Sequence, residues 1–537
     1  MVILAKAKGL DMRQVVQVFV LFVMLVTSVW SMDVASYISK AQKAQENKRY
    51  DTAIKWFRKA LSIIKDRHTK TKILFQMGDC YYLLHNCLAA FALYQEALKD
   101  PRAKDYLISH PKTYLNLANI YFDRGNYKRA AEIYLQVAQR YKNKSFASFA
   151  LVKGADSFLN MKNYKKALEI YSKVVLLYKD TNEYWISKFR MADIGVSHPG
   201  IDVPQDIEYR AYFKPEDAYK EIISSAPDDL LKLKQLAELR IASLYLKKGE
   251  SSKSIALISS FIKENPFSAF QDYAKGLLKK AVEKRISELY HKKAYEKICT
   301  LYESVKRHVP VSSLTSRTVE ILAEAKYKTG AYKEALSLYM TDPASHLLQI
   351  ASIYNLLGRY KETISLLMPL RNKLSSELIL VLARALYKEK RFADVIKLFK
   401  DVTDLSPEAC YLLANSCYHL NHLKEAVQYY SLIIKGNSEY QLNALISVAN
   451  IFFFQKQFKK ALRYYKKAQT LCKNCPDADF IKLQIANCYY CLGDQSSSAS
   501  ILKSLKKADT LIRWAANTQL ELMQLENRYK ELKWLIE

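Results

Sequence analysis

The sequence predicts an all-α fold, an α-solenoid of stacked helical hairpins, and three observations carry that expectation. A spacing of small and aromatic residues recurs in phase along almost the whole of the 537-residue chain. Only 12 Gly and 12 Pro are present, too few for the turns of an all-β fold or for long flexible linkers. No single recurring unit can bury its apolar face alone, so copies must stack, and a chain of this length grows by adding units rather than by enlarging one core.

The clearest unit is 112–141, KTYLNLANIYFDRGNYKRAAEIYLQVAQRY. Leu117, Ala118 and Tyr121 share one face of a first helix, with Ala118 small enough to admit a neighbouring helix. Gly125 breaks that helix and Asn126 caps a second, whose inner face carries Ala130, Tyr134 and Val137. Tyr127 fills the corner between the two. With Ala118 as origin, the template asks for a large residue at +3, an aromatic at +9, a small residue at +12 and a bulky one at +16.

Earlier matches run through Ala41, Tyr50, Ala53, Phe57 and Ala60, then Gly78, Tyr81, Ala90, Tyr94 and Ala97. Ala155, Phe158, Tyr164, Ala167 and Tyr171 form the next. Further on come Ala242, Tyr245, Gly249, Ile258 and Pro266, then Ile286, Leu289, Tyr295, Ile298, Tyr302 and Pro310. Ala323, Ala351, Ala383, Ala414 and Ala449 open five more, with Tyr332, Tyr360, Phe392, Leu423 and Phe458 at their turns, and Ala486 and Leu520 open the last. This spacing resembles the tetratricopeptide repeat family, with about thirteen repeats covering nearly everything after residue 33. The resemblance implies a right-handed superhelical α-solenoid of paired helices that binds peptides or other proteins along a groove, and it does not name the partner.

Residues 1–33 stand apart. The run 15–30, VVQVFVLFVMLVTSVW, is uncharged and lies behind Lys6, Lys8 and Arg13. It reads as a signal peptide or a membrane anchor, being longer than most signal cores and slightly shorter than the ~20 residues that span a bilayer comfortably. Export of the repeats is the expected orientation, to the periplasm or the outer side of an inner membrane. A membrane-anchored array facing the cytoplasm is the alternative, because Lys40, Lys43, Lys48 and Arg49 nearly balance the charge rule.

After this segment the expected organisation is an N-terminal array over 34–182, an irregular repeat with an inserted loop over 183–215, and a C-terminal array over 216–537 ending in a truncated repeat. Pro199, Pro204 and Pro215 exclude a continuous helix through the loop, and Ala218 and Ile222 restart the second-helix pattern beyond it. Over 197–215 the loop reads equally as a functional element or as a surface insertion.

No enzymatic chemistry is expected. The chain lacks a phosphate-binding Gly-Lys-Ser/Thr loop, an HExxH and a GxSxG, so no catalytic, cofactor-binding or metal residue is assigned. Cys472, Cys475, Cys488 and Cys491 look like two metal-binding pairs. The repeat frame, however, separates the pairs by roughly 15 Å, too far for one zinc ion. A Cys472–Cys475 disulfide remains open, with unbonded half-buried thiols the favoured reading. Cys417, His419 and His422 cluster at a turn without a fourth ligand. The odd total of 9 cysteines, several at core spacing as Cys80, Cys410 and Cys417 are, sits awkwardly with an exported chain.

The formal charge of +30 points to an acidic partner, such as an acidic protein, an anionic lipid or an anionic envelope polymer. Nucleic acid is disfavoured for want of any nucleic-acid motif. Lys128, Arg129, Lys165, Lys166, Lys459 and Lys460 occupy the first turns of second helices, where the helix dipole favours acids, and are expected to form basic ridges. In the C-terminal repeats Asn415, Asn450 and Asn487 each come directly after the small first-helix residue, a position that such superhelices turn toward the concave face. Tyr418, Phe453 and Tyr490 lie three residues beyond them, and Tyr411, Ile446 and Leu483 four residues before. This set is expected to hold a partner peptide or helix, and alanine at the three Asn positions is expected to leave melting nearly unchanged. The resulting reading is a non-enzymatic protein-binding scaffold of the cell envelope. The alternatives are an exported chaperone or assembly factor, or a basic module for an anionic polymer or lipid.

Overall fold

The structure, a computed structural model, describes residues 12–400, 402, 404–472 and 475–536, and of these not the side chains of 12–15, 18, 22–33, 531 and 534–536. Every regular element among the described residues is helical. Contacts divide the chain into two compact units, one of Met1–Arg285 with Val305–Ser313, the other of Ile286–Ser304 with Leu314–Glu537.

In the first unit the hairpins pair Met12–Glu46 with Tyr50–Ile63, Arg67–Leu83 with Cys87–Ala97, Pro111–Asp123 with Tyr127–Arg140, and Phe146–Asn160 with Tyr164–Leu177. Asn182–Ser197 then pairs with Pro215–Ser225, and Leu231–Lys247 with Ser251–Glu264. The reference hairpin forms as its residues dictate. Pro111 stands in the first turn, where its missing N–H costs nothing. Gly125 ends the helix at φ +78°, a left-handed conformation that a Cβ disfavours. Asn126 Oδ1 accepts from the Arg129 amide, as Asn86 and Asn163 do for Ala89 and Lys166 in neighbouring hairpins. Lys48, His85, Lys162 and Lys456 hold the same left-handed turn position elsewhere, at a cost of about 1 kcal/mol each that stacking must offset.

The template's small and bulky positions meet inside: Ala118, Ala130 and Tyr134 are fully buried, and so are Phe57, Tyr94 and Tyr171. Its turn aromatic packs edge-on against the residue four after the origin, in Phe122–Tyr127, Tyr327–Tyr332, Tyr387–Phe392 and Phe453–Phe458.

The N-terminal helix runs unbroken over Met12–Glu46, so the apolar run and the first helix of the first repeat share one axis. Among the described residues no helix is long and apolar enough to cross a membrane. The expected signal or anchor falls on residues that lie largely outside the described ones, 1–11 altogether and 22–33 in their side chains.

Past Ser197 the inserted loop is packed. Tyr212 sits at its centre, buried, its hydroxyl accepting from the Ile201 amide at 2.7 Å and donating to the His198 carbonyl at 3.1 Å. The imidazole of His198 stacks on Tyr164, with ring centroids 3.8 Å apart. A short helix, Arg210–Phe213, lies so close to Asn182–Ser197 that a Cβ on Gly195 would stand 2.1 Å from the Tyr212 carbonyl oxygen.

The second unit stacks Ser316–Lys328 with Tyr332–Tyr339, Leu347–Leu356 with Tyr360–Leu367, and Ser376–Lys388 with Phe392–Leu398. Next, Pro407–His419 pairs with Leu423–Lys435, Gln441–Phe454 with Phe458–Leu471, and Ala478–Cys491 with Gln495–Ser504, before a last helix, Thr510–Ile536. Here the favoured reading of free thiols at the first cysteine pair is corrected, since Cys472 and Cys475 are joined by a disulfide. Three residues apart, just past the end of Phe458–Leu471, their Cα atoms lie 5.2 Å from one another, inside the span a disulfide bridges. Among the described residues no group of three His, Cys, Asp or Glu side chains could hold a metal. Cys80, Cys417 and Cys488 are buried, and burial pushes their thiols up to about 12, 11 and 12, as expected of packing residues.

Candidate partner-binding site

The expected groove residues all belong to the second unit, and their first commitment is internal. Tyr430, sixteen residues past the small Ala414 and buried, donates its hydroxyl to Asn415 Oδ1, and Tyr465 does the same to Asn450. The first unit repeats the device. Tyr94 donates to Asp79, Tyr134 to Asn119, Tyr171 to Asp156 and Tyr219 to Asp193. A large aromatic at +16 fills the space between the two helices of a hairpin, its hydroxyl then needs an acceptor where water cannot reach, and the +1 position of the first helix supplies one. Burial pushes all of these hydroxyls well above the ordinary tyrosine range. The pairing was legible in the sequence as an Asn or Asp fifteen residues before the bulky Tyr, and the groove expectation treated the two positions separately.

In the first unit the carboxylate versions of this pin reach the next hairpin. Asp193 accepts from Arg240 Nε at 2.9 Å, and Asp156 lies 3.4 Å from Arg190 Nε. Asp79 takes hydrogen bonds from Tyr94, Thr113 and Asn116. Its burial nevertheless raises the carboxyl above its usual range, since desolvation outweighs the donors.

Asn487 differs from its counterparts because Leu502, not tyrosine, stands at +16 in its hairpin. Its amide nitrogen reaches Gln484 at 3.4 Å, and its oxygen makes no hydrogen bond among the described residues. For Asn415 and Asn450 the arrangement is the reverse, with the oxygen bound and the amide nitrogen making no such bond.

Of the flanking residues, Tyr418 is exposed, Ile446 and Phe453 are half-buried, and Phe453 is also the corner partner of Phe458 at 5.3 Å. Tyr411 packs on Tyr440 at 5.1 Å, and Tyr490 donates to Glu526 of the last helix. Leu483 is buried beneath that helix with Ala486, Ala516 and Met523 and offers no surface to a partner. Asn415, Asn450, Tyr418, Ile446 and the outer edge of Phe453 are left as what a partner could touch.

The basic residues are exposed at the starts of their helices, and Tyr127–Arg140, Tyr164–Leu177 and Phe458–Leu471 carry no acid in the first turn. Arg129 lies over the Tyr121 ring and donates to its hydroxyl, Lys165 pairs with Asp202 of the inserted loop, and Lys166 with Glu169. Lys460 covers Phe452. Lys128 and Lys459 are exposed and make no ion pair among the described residues.

Stacked helical hairpins with small residues at their crossings and a polar inner row define an α-solenoid, a fold whose repeats present extended surface to other proteins. The model described as tetratricopeptide repeat protein 21 ARM repeat matches residues 33–199, and that described as tetratricopeptide repeat matches 407–435. With the hairpin frame, these matches support a tetratricopeptide-repeat family for the chain. Among solved structures it is similar to yeast Tom70, at 17% identity over 92% of this chain and 96% of that one, with a TM-score of 0.29. It is also similar to the APC/C hetero-tetramer Cut9–Hcn1, at 10% identity over 90% and 96%, TM-score 0.29. A third is the tetratricopeptide domain of P58(IPK), at 15% over 77% and 98%, TM-score 0.29. At that score these likenesses add nothing to the argument from the hairpins. No curated protein matches the chain in sequence.

Proposed function

We propose that this tetratricopeptide chain is a non-enzymatic scaffold of the cell envelope, exported or held at a membrane through residues 1–33, that grips a partner peptide or helix along the first-helix faces of hairpins 407–435 and 441–471. One observation carries this reading: the Asn415 and Asn450 amide nitrogens are uncommitted and stand at equivalent positions of successive repeats beside Tyr418 and Ile446. Amide donors at repeat spacing suit the carbonyls of an extended backbone, and the apolar neighbours supply anchoring area without demanding one side chain. The apolar run 15–30 behind Lys6, Lys8 and Arg13 supports the envelope setting.

Asn→Asp at 415 and 450 tests the grip without disturbing the fold, because a carboxylate keeps the tyrosine's acceptor, as Asp79, Asp156 and Asp193 do, and removes the donor. With partners crosslinked in native cells, the double Asp variant is expected to lose most of the adduct formed by the parent, at unchanged circular dichroism and melting. An undiminished adduct would falsify the assignment.

A second reading, contact with an anionic envelope component, is favoured by exposed Lys128 and Lys459. Lys459→Glu with Lys460→Glu should weaken association at low salt several-fold and leave it unaffected at high salt, where such attraction is already screened. Cosedimentation with anionic vesicles or cell-wall fragments reads the difference, and equal binding by both proteins at low salt rejects the ridge.

A further inference from the structure

The last helix, Thr510–Ile536, is apolar on two sides. Ala516 and Met523 are buried on the side facing Gln495–Ser504. On the other side Leu511, Trp514, Leu522, Leu525, Tyr529 and Leu532 are between 53% and 76% exposed. At 100° per residue these six fall within an arc of about 80°, roughly opposite the docked side. From Gln524 to Lys530 every residue is exposed, and the Tyr490–Glu526 hydrogen bond is what ties this stretch to the hairpin before it. A free segment of that length is marginal as a helix in water, and a contiguous apolar stripe of this kind marks an interaction surface.

We infer that the stripe is covered by the same helix of a second copy, the two running antiparallel about a two-fold axis near Leu522. Three observations select this occupant. Residues 510–537 carry Arg513, Arg528, Lys530 and Lys533 against Glu521, Glu526, Glu531 and Glu537, so this C-terminal segment is balanced within a chain of +30. Two copies can therefore meet here without the repulsion they would meet elsewhere, and an acidic partner gains nothing from this site. The docked half of the helix borders a hollow of about 320 Å³ lined by Tyr490, Trp514, Ala515, Thr518, Gln519 and Leu522. Its free half carries Leu525 and Tyr529, so a two-fold axis lays the free half of each copy over the hollow of the other, the self-complementarity an isologous contact requires. The six side chains offer on the order of 600 Å² of apolar surface per copy, which with their polar flanks approaches the ~800 Å² per partner of a stable interface.

The full-length chain, kept in a non-ionic detergent so that the 15–30 run does not itself associate, should sediment as a reversible dimer. Leu525→Glu with Tyr529→Glu should raise its dissociation constant by roughly 100-fold or more. Circular dichroism should lose no more than the few freed turns at the end of the last helix, because both side chains are exposed in the single chain and the hairpins do not depend on them. Leu522→Cys should form a reducible crosslinked dimer on mild oxidation, above the level given by the native cysteines. A parent protein that stays monomeric through the micromolar range, a dimer that survives the double substitution, or a Leu522→Cys variant that crosslinks no better than the parent overturns the antiparallel pairing.

Discussion

Gly195→Ala is expected to destabilise the hairpin around the inserted loop by on the order of 3 kcal/mol, since an added Cβ would meet its neighbour more closely here than at any other described glycine. The added Cβ would stand 2.1 Å from the Tyr212 carbonyl oxygen and 3.0 Å from its carbon. Backbone cannot step aside as a flexible side chain can, so the helix Arg210–Phe213 must lift from Asn182–Ser197. Lifting it withdraws the buried Tyr212 and breaks its hydrogen bonds to Ile201 and His198. A repeat array need not unfold in one step, so amide hydrogen exchange over 182–225 is the suitable measurement, with protection falling there and persisting elsewhere. Gly276→Ala is the control. Its Cβ would meet nothing within 4 Å, and in the helix Gln271–His291 it should be neutral or stabilising by about 0.5–1 kcal/mol. Equal protection in the Gly195→Ala and parent proteins would show that the loop does not depend on this contact.

Asn415→Ala and Asn450→Ala should each cost about 1–3 kcal/mol, the penalty for leaving a buried hydroxyl without its acceptor. Tyr430→Phe in the Asn415→Ala background should recover much of that loss, since removing both partners leaves nothing unsatisfied. The four-protein cycle, read from exchange protection of 407–435, isolates the coupling. Asn487→Ala should cost far less, because no tyrosine depends on it. This ordering replaces the expectation that all three alanines are innocuous, which rested on the amides being free. If Asn415→Ala and Asn487→Ala prove equally mild, the tyrosine pin contributes nothing to stability.

The two results bear differently on function. Losing the loop packing would remove a surface in the first unit and leave the hairpins 407–435 and 441–471 untouched. Losing the pins would loosen those hairpins themselves, so an alanine variant that fails to bind a partner would not distinguish a lost contact from a lost fold. The aspartate variants make that distinction because they change the donor and keep the acceptor.

What the sequence determined by itself was periodicity and its immediate consequences. Ala118, Ala130 and Tyr134 recur in phase, and residues spaced for one face of a helix must share it, so the hairpins, their turns and their buried residues could be placed without coordinates. Gly125 and Asn126 announced a helix end and a helix start because their conformational and hydrogen-bonding properties are local. The tertiary structure alone decided what each polar residue on those faces is bound to. Asn415 and Asn487 are the same residue at the same repeat position, yet one is an acceptor for a buried hydroxyl and the other is not, because the partner at +16 is Tyr430 in one hairpin and Leu502 in the other. The closeness of Gly195 to Tyr212, the closing of Cys472 on Cys475 and the bare outer face of the last helix are likewise distances between segments. Helical spacing fixes which residues share a face, and packing between helices determines which of them remain free for a partner.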